Sequence, residues 1–93
     1  MRRASVNEQE SLLEFPCRFP IKIMGKERAD FQEHVVGLIS SHVGDIAKTD
    51  VAVRLSRKGN FLALTVTISA ESREQLDEVY RSLTASERVL FVL

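Results

Sequence analysis

Few residues in this chain have side chains that do chemistry, and one short stretch spaces them to act together. Gly25-Lys26-Glu27-Arg28 sits between an alternating apolar run and a helical one. A glycine allows close backbone approach, and the N–H groups that follow it, with the cations of Lys26 and Arg28, suit a carboxylate. Gly25, Lys26 and Arg28 are therefore the candidate ligand-binding residues, and the ligand they suit is a small anionic metabolite. His34 and His42 lie in one helical stretch, where the rise separates them by ~12 Å, too far to share one metal. His42 falls in the last turn, where a cation suits the helix dipole, and both histidines are read as structural. Cys17 is the sole cysteine, which excludes an internal disulfide, a CxxC redox pair and a thiolate metal cage. No Gly-rich phosphate loop occurs, and the neighbouring acids Glu71 and Glu74, and Asp77 and Glu78, read as helix or turn surface charges. These readings assign no catalytic residue, no metal and no cofactor, and they predict a protein that binds rather than catalyses.

Composition narrows the partners. A chain of 93 residues is one domain, and at this size it buries roughly 60–65% of its unfolded surface, enough for one sheet-and-helix core. Its 13 basic and 13 acidic residues cancel, which argues against bulk attraction to nucleic acid or to an anionic membrane. No run approaches the ~20 apolar residues of a membrane span. Arg2-Arg3 is followed by Glu8, Glu10 and Glu14 rather than by an apolar export core. The reduced cytoplasm is the expected compartment.

The candidate site needs elements to hold it. Residues 1–10 are polar and without period, and read as a flexible tail; residues 11–93 read as one domain. Leu12, Leu13 and Phe15 precede Pro16 as an extended arm. Phe19, Ile21 and Ile23 alternate with polar residues over Arg18–Met24, a first strand ended by Gly25. From Ala29 to Val43 the period becomes helical, through Phe31, Val35, Leu38 and Ile39, and Gly44 follows as a cap. Val51–Ala70 alternates as a hairpin. With Gly59-Asn60 as a two-residue turn, Leu55 faces Leu64, Val53 faces Val66 and Val51 faces Ile68. Ser72 to Gln75 is a capping box opening a helix through Leu76, Val79, Tyr80 and Leu83. Val89–Leu93 is a last strand. The order β-α-β-β-α-β predicts an α+β, ferredoxin-like two-layer sandwich: a four-stranded antiparallel sheet with two helices on one face and strands one and three central.

The other sheet face is then legible. It carries Lys22 and Met24, then Ala52, Arg54 and Ser56, then Phe61, Ala63, Thr65 and Thr67. With Val89, Phe91 and Leu93 turned inward, it also carries Leu90 and Val92. Met24, Leu90 and Val92 form an apolar centre, rimmed by Lys22, Arg54 and Thr65. Met24, Arg54, Thr65, Leu90 and Val92 are the candidate contacts for a protein partner or a second copy. RNA-recognition domains of this fold place aromatics at the centre of strands one and three. Lys22, Ala63, Thr65 and Thr67 occupy those positions here, so no nucleic acid is expected.

Leu12-Leu13-Glu14-Phe15-Pro16, Lys22-Ile23-Met24-Gly25, the turn Ser56-Arg57-Lys58-Gly59-Asn60-Phe61 and the ending Val92-Leu93 resemble the YbeD family of small bacterial proteins. The resemblance implies the same β-α-β-β-α-β fold. It also implies likeness to ACT regulatory domains, such as those of phosphoglycerate dehydrogenase, which bind amino acids at dimer interfaces. It further suggests a link to lipoate synthesis, because the family's genes often neighbour the octanoyl transferase. ACT domains typically place an Asp-x-Pro-Gly turn between strand one and helix one. Here Met24-Gly25-Lys26-Glu27 stands there, with Gly25 as the counterpart of the glycine and no match for the aspartate or proline. The expected function is a non-catalytic regulatory or binding module that senses a small metabolite or modulates a partner enzyme. One alternative is a protein-interaction adaptor using the open sheet face. Another is an acylphosphatase-like enzyme, a class that resembles this fold and depends on a first-loop arginine and a strand asparagine; Arg28 matches the first, while Asn60 sits in the turn.

Overall fold

Ile21 and Ile23 from one strand, and Leu64, Val66 and Ile68 from another, are at most 2% exposed. Their alternation marks the inner face of the sheet. The computed structural model describes residues 14–26, 28–56 and 58–93. Its elements run β1 (Cys17–Lys26), α1 (Phe31–Val43), β2 (Val51–Leu55), β3 (Phe61–Ala70), α2 (Arg73–Ala85) and β4 (Val89–Val92), with a 3-10 turn over Lys48–Asp50. The tail expected over residues 1–10, and Leu12 and Leu13 of the arm, lie outside the described residues. The sheet order is β2-β3-β1-β4, and every pairing is antiparallel. This is the expected ferredoxin-like sandwich, with the two long strands in the middle. Phe31, Val35 and Ile39 of α1 and Leu76, Val79 and Leu83 of α2 complete the core against the inner face.

The hairpin differs from the expected register by two residues. Val51 pairs with Val66, Val53 with Leu64 and Leu55 with Leu62. The last pair before the turn is Ser56 with Phe61, through the Ser56 N–H and the Phe61 carbonyl at 2.9 Å. The loop therefore lies between Ser56 and Phe61 and is longer than Gly59-Asn60 alone. Ser56 is the reason. Its Oγ accepts the N–H groups of Asn60 and Phe61 at 3.2 and 3.1 Å, and its carbonyl accepts Gly59 N–H at 2.9 Å. A hydroxyl that satisfies two turn donors favours the longer loop over the tight one. Gly59 does take positive φ, at 73°. A slip of two residues preserves the faces, so β2 still turns Val51, Val53 and Leu55 toward the helix side. Only Val51 packs against the core; Val53 and Leu55 are 48% and 56% exposed on an edge strand.

The last strand departs further. Ile23 pairs with Val92 and Met24 with Phe91, but Gly25 pairs with Val89. Leu90 is an extra residue on β4, a β-bulge that reverses the alternation. Val89 and Val92 thus both pack against the core. Phe91 stands on the open face beside Met24, and Leu93 beside Lys22, with which it exchanges two backbone hydrogen bonds of 3.2 and 2.8 Å. The assignment of Val92 to the open face, and of Phe91 and Leu93 to the core, is corrected accordingly.

Two contacts fix the helices. Gly25 is buried in β1, and a Cβ built there would lie 2.3 Å from the Phe31 ring and 2.7 Å from the Arg88 carbonyl oxygen. The ring of the first α1 residue thus packs directly against a glycine of the sheet. Between the helices, His34 Nε2 lies 3.0 Å from Ser86 Oγ, and His42 Nε2 lies 2.6 Å from Ser82 Oγ. Ser72 Oγ accepts Gln75 N–H at 3.1 Å, the first half of the capping box. The other half reaches one residue further back, with Gln75 Oε1 accepting Glu71 N–H at 2.8 Å. Gln75 Nε2 then donates to the His42 carbonyl at 3.1 Å, tying the end of α1 to the start of α2.

Gly25→Ala should destabilise the fold by about 1–3 kcal/mol, the usual cost of overpacking. In a Phe31→Ala background that cost should shrink without vanishing, because the Arg88 carbonyl remains; denaturant melts of the four-member cycle read the coupling. Leu76→Ala, in the core, should cost ~2–5 kcal/mol, whereas Thr65→Ala on the open face should stay within about 0.5 kcal/mol. Equal losses for Leu76→Ala and Thr65→Ala would contradict the face assignment.

Candidate functional site

Three loops meet at one end of the sheet. β1 ends at Lys26, which pairs with Phe61 at the start of β3. β4 begins at Val89, which pairs with Gly25. The β1–α1 loop is therefore flanked by the hairpin loop on one side and by the α2–β4 loop on the other. A cleft of about 390 Å³ opens toward the α2–β4 loop, lined by Lys26, Arg28, Phe31, Glu87, Arg88 and Leu90. A second, of about 550 Å³, opens toward the hairpin, lined by Lys26, Arg28, Gly59, Asn60 and Phe61. Lys26 and Arg28 belong to both. They are exposed, and neither forms an ion pair among the described residues.

Arg88 is cationic too, but it is engaged. Its Nη2 lies 2.5 Å from Asp30 Oδ1 and its Nη1 donates to Oδ2 at 3.2 Å, a two-pronged pair beside the first cleft. Asp30 occupies the N-cap position of α1 yet makes no side-chain cap; its carboxylate is turned to Arg88 instead. The hydrogen bond from Arg88 holds the Asp30 carboxyl below its ordinary range. The cations at the clefts without an ion pair among the described residues are thus Lys26 and Arg28.

Of the residues chosen from sequence, Lys26 and Arg28 are brought together at both clefts, while Gly25 is not open to a ligand. Its glycine character serves the Phe31 ring and the Arg88 backbone. Met24, Arg54 and Thr65 lie on the open face as expected, in rows set by the pairing: Arg54–Ala63–Met24–Phe91 and Ala52–Thr65–Lys22. Leu90 is 49% exposed and lines the first cleft from the bulge. Val92 packs against the core. Arg88, Phe31 and Phe91 were missed. Arg88 and Asp30 are 58 residues apart, a pairing no local pattern announces. Phe91 was hidden by the bulge. For Phe31 the available signal was a strand glycine followed closely by a helix-opening aromatic. Cys17 lies at the opposite end of β1, partly buried and unbonded. Among the described residues no group of three histidines, cysteines or carboxylates is placed to hold a metal, and no helix is long and apolar enough to cross a membrane.

A family profile described as "Protein of unknown function (DUF493)" matches residues 10–93. The chain belongs to the DUF493 family. This is the YbeD family that the sequence motifs resemble. Among relatives of this DUF493 chain, a UPF0250 protein of Paraburkholderia phytofirmans is 49% identical over 90 residues, covering 97% of this chain and 99% of the relative. One from Chromobacterium violaceum is 47% identical over 87 residues, covering 94% and 98%. Two solved structures share the DUF493 chain's fold. The solution structure of protein HP0495 from H. pylori aligns with a TM-score of 0.71 at 11% identity, over 87% of this chain and 85% of that one. The ACT domain from GTP pyrophosphokinase of Chlorobium tepidum aligns at 0.61 and 17% identity, over 82% and 84%.

Removing the guanidinium tests the Asp30 pair. A folded carboxyl held low contributes stability fully above its unfolded pKa and loses it as pH falls through the folded value. Arg88→Ala should raise the Asp30 pKa toward the ordinary carboxylate value in a carboxyl-carbon NMR titration. It should also flatten the acid limb of the stability curve, by a small amount because the pair is exposed. An unchanged Asp30 titration would show that Arg88 does not set it.

Proposed function

We propose that this chain is a non-catalytic regulatory module that takes a small anionic metabolite between Lys26 and Arg28. The observation that carries the reading is that these two cations, without ion-pair partners among the described residues, line both clefts. Phe31, Leu90 and Phe61 supply apolar wall beside them. A few convergent charges against an apolar wall is how small-ligand sites are commonly built. The fold shared with an ACT domain supports a regulatory role, with a partner enzyme as its target. The enzymes of lipoate synthesis, to which the family resemblance points, are the first partners to try. A reduced cytoplasm suits the lone, unbonded Cys17.

The test is a thermal-shift screen of carboxylates and phosphate esters. A ligand that binds only the folded state stabilises it by about 2.7 kcal/mol at a hundred times Kd. Lys26→Glu with Arg28→Glu should remove the shift and leave the melting point of the free protein nearly unchanged. A shift that survives in the double variant, or no shift with any anion, would overturn the reading.

One observation favours a second reading. Arg28 and Asn60, the pair that an acylphosphatase-like enzyme would need, line the same cleft, although Asn60 is in the hairpin loop rather than on a strand. An arginine there would hold the phosphoryl group and an asparagine amide would orient the attacking water. Benzoyl phosphate hydrolysis by the purified chain is expected at the uncatalysed rate. Turnover that disappears in Asn60→Ala would replace the binding role with an enzymatic one.

A further inference from the structure

The open sheet face is charged in a way the composition does not require. The chain has as many acids as bases. Yet the outward positions of the strands carry Arg18, Lys22, Lys26 and Arg54 and, among the described residues, no acidic side chain. Asp50, just before β2, neutralises Arg18 at 2.5 Å; the other three have no ion pair among the described residues. Four acids lie on the other layer, Glu33 on α1 and Glu74, Asp77 and Glu78 on α2. Between the cations the face is apolar. Met24 and Ala63 are neighbours at its centre, Phe91 stands at one margin 46% exposed, and Phe61 at another 37% exposed. Small side chains leave a depression of about 240 Å³ beside them, floored by Ala52 and Ala63 and walled by Lys22, Arg54 and Thr65.

We infer that this face docks an acidic segment of a partner protein, one that presents carboxylates around a large apolar side chain. The apolar side chain fills the depression over Ala52 and Ala63 and meets Met24. The carboxylates reach Lys22 and Arg54. An apolar centre with a charged rim is the ordinary anatomy of an interface, and the rim charges select the partner. A second copy does not fit. Face to face, it would set cations against cations; by its α2 surface, it would offer Glu74, Asp77 and Glu78 but no large exposed apolar residue. Nucleic acid fits poorly as well, since base stacking uses rings at the centre of β1 and β3, where Lys22 and Thr65 stand. This surface does not depend on the small-ligand reading of the Arg28 clefts.

The test is a random peptide library displayed on phage and panned against the full chain, with the enriched peptides then synthesised and titrated by fluorescence anisotropy. Enriched peptides should combine aspartate or glutamate with a large apolar residue. Their affinity should fall about tenfold with Lys22→Glu plus Arg54→Glu, and again as ionic strength rises past ~0.15 M. Phe91→Asp should weaken them similarly. Arg81→Glu on α2 and Arg28→Glu at the clefts should leave them unchanged, each variant being checked for an intact melting transition. Failure of any peptide to enrich, enrichment of acid-free peptides, or binding indifferent to Lys22 and Arg54 would overturn the inference. So would displacement of the peptide by an oligouridine that binds more tightly, or a dimer in sedimentation that Phe91→Asp disperses. Loss of binding in Arg28→Glu alone would move the peptide to the clefts and count against the open face.

Discussion

The absence of one side chain governs how this molecule is put together. Gly25 is held on the inner face of a central strand, and the Phe31 ring and the Arg88 carbonyl both occupy the space a Cβ would take. Phe31 begins α1, so its contact sets how closely that helix approaches the sheet. Arg88 precedes β4, so its backbone sets where the last strand begins. Core packing tolerates neither a void nor an intrusion at such a point. The first cleft is a by-product of the same convergence, because Phe31 and Arg88 are among its walls. A local steric rule therefore couples the placement of the helix, the entry of the edge strand and the shape of the candidate site.

Much of this was legible in the chain. The inward residues of β1 and β3 alternate without interruption, and the buried stripes of both helices follow the 3.6-residue period, so element order and topology could be read directly. Most of what escaped is a local departure of the backbone from strict alternation. Ser56 has a hydroxyl that lengthens a turn which the Gly59-Asn60 pair alone would have shortened. Leu90 is spliced into β4 and inverts the pattern on either side of it. Strict alternation, applied to Val89–Leu93, assigned Phe91, Val92 and Leu93 to the wrong faces. Gly25 was correctly marked as a place of close approach, but the approaching group is an aromatic ring of the chain itself. Lys26 and Arg28 were found because two cations so close in sequence, at the end of a strand, need no tertiary knowledge. Arg88 was not, because its carboxylate partner is distant in sequence.

The two proposed binding surfaces differ in kind and meet at Lys26. Its backbone belongs to the last pair of β1 with β3, and its side chain borders both clefts. The clefts are small and bounded by loops, suited to a compact anion; the open face is broad and held by hydrogen-bonded strands. A cation at the border adds to the electrostatic potential on both sides. Lys26 thus contributes to the field at both surfaces without any movement of the backbone.

The extra residue in β4 has a consequence for how this architecture changes over time. A strand with regular alternation has one phase, and each of its residues is committed to core or solvent. The interruption at Leu90 gives four residues two phases: Val89 and Val92 serve the interior, Leu90 the loop end and Phe91 the exterior. Substitutions at Leu90 or Phe91 can therefore be sampled one at a time while the two valines continue to close the fold. Loss of the inserted residue would be a change of another order, since it would exchange inside for outside along one arm of the strand. Point variation at this edge is a gradual route to new surface chemistry; a change in its length is a frameshift in three dimensions.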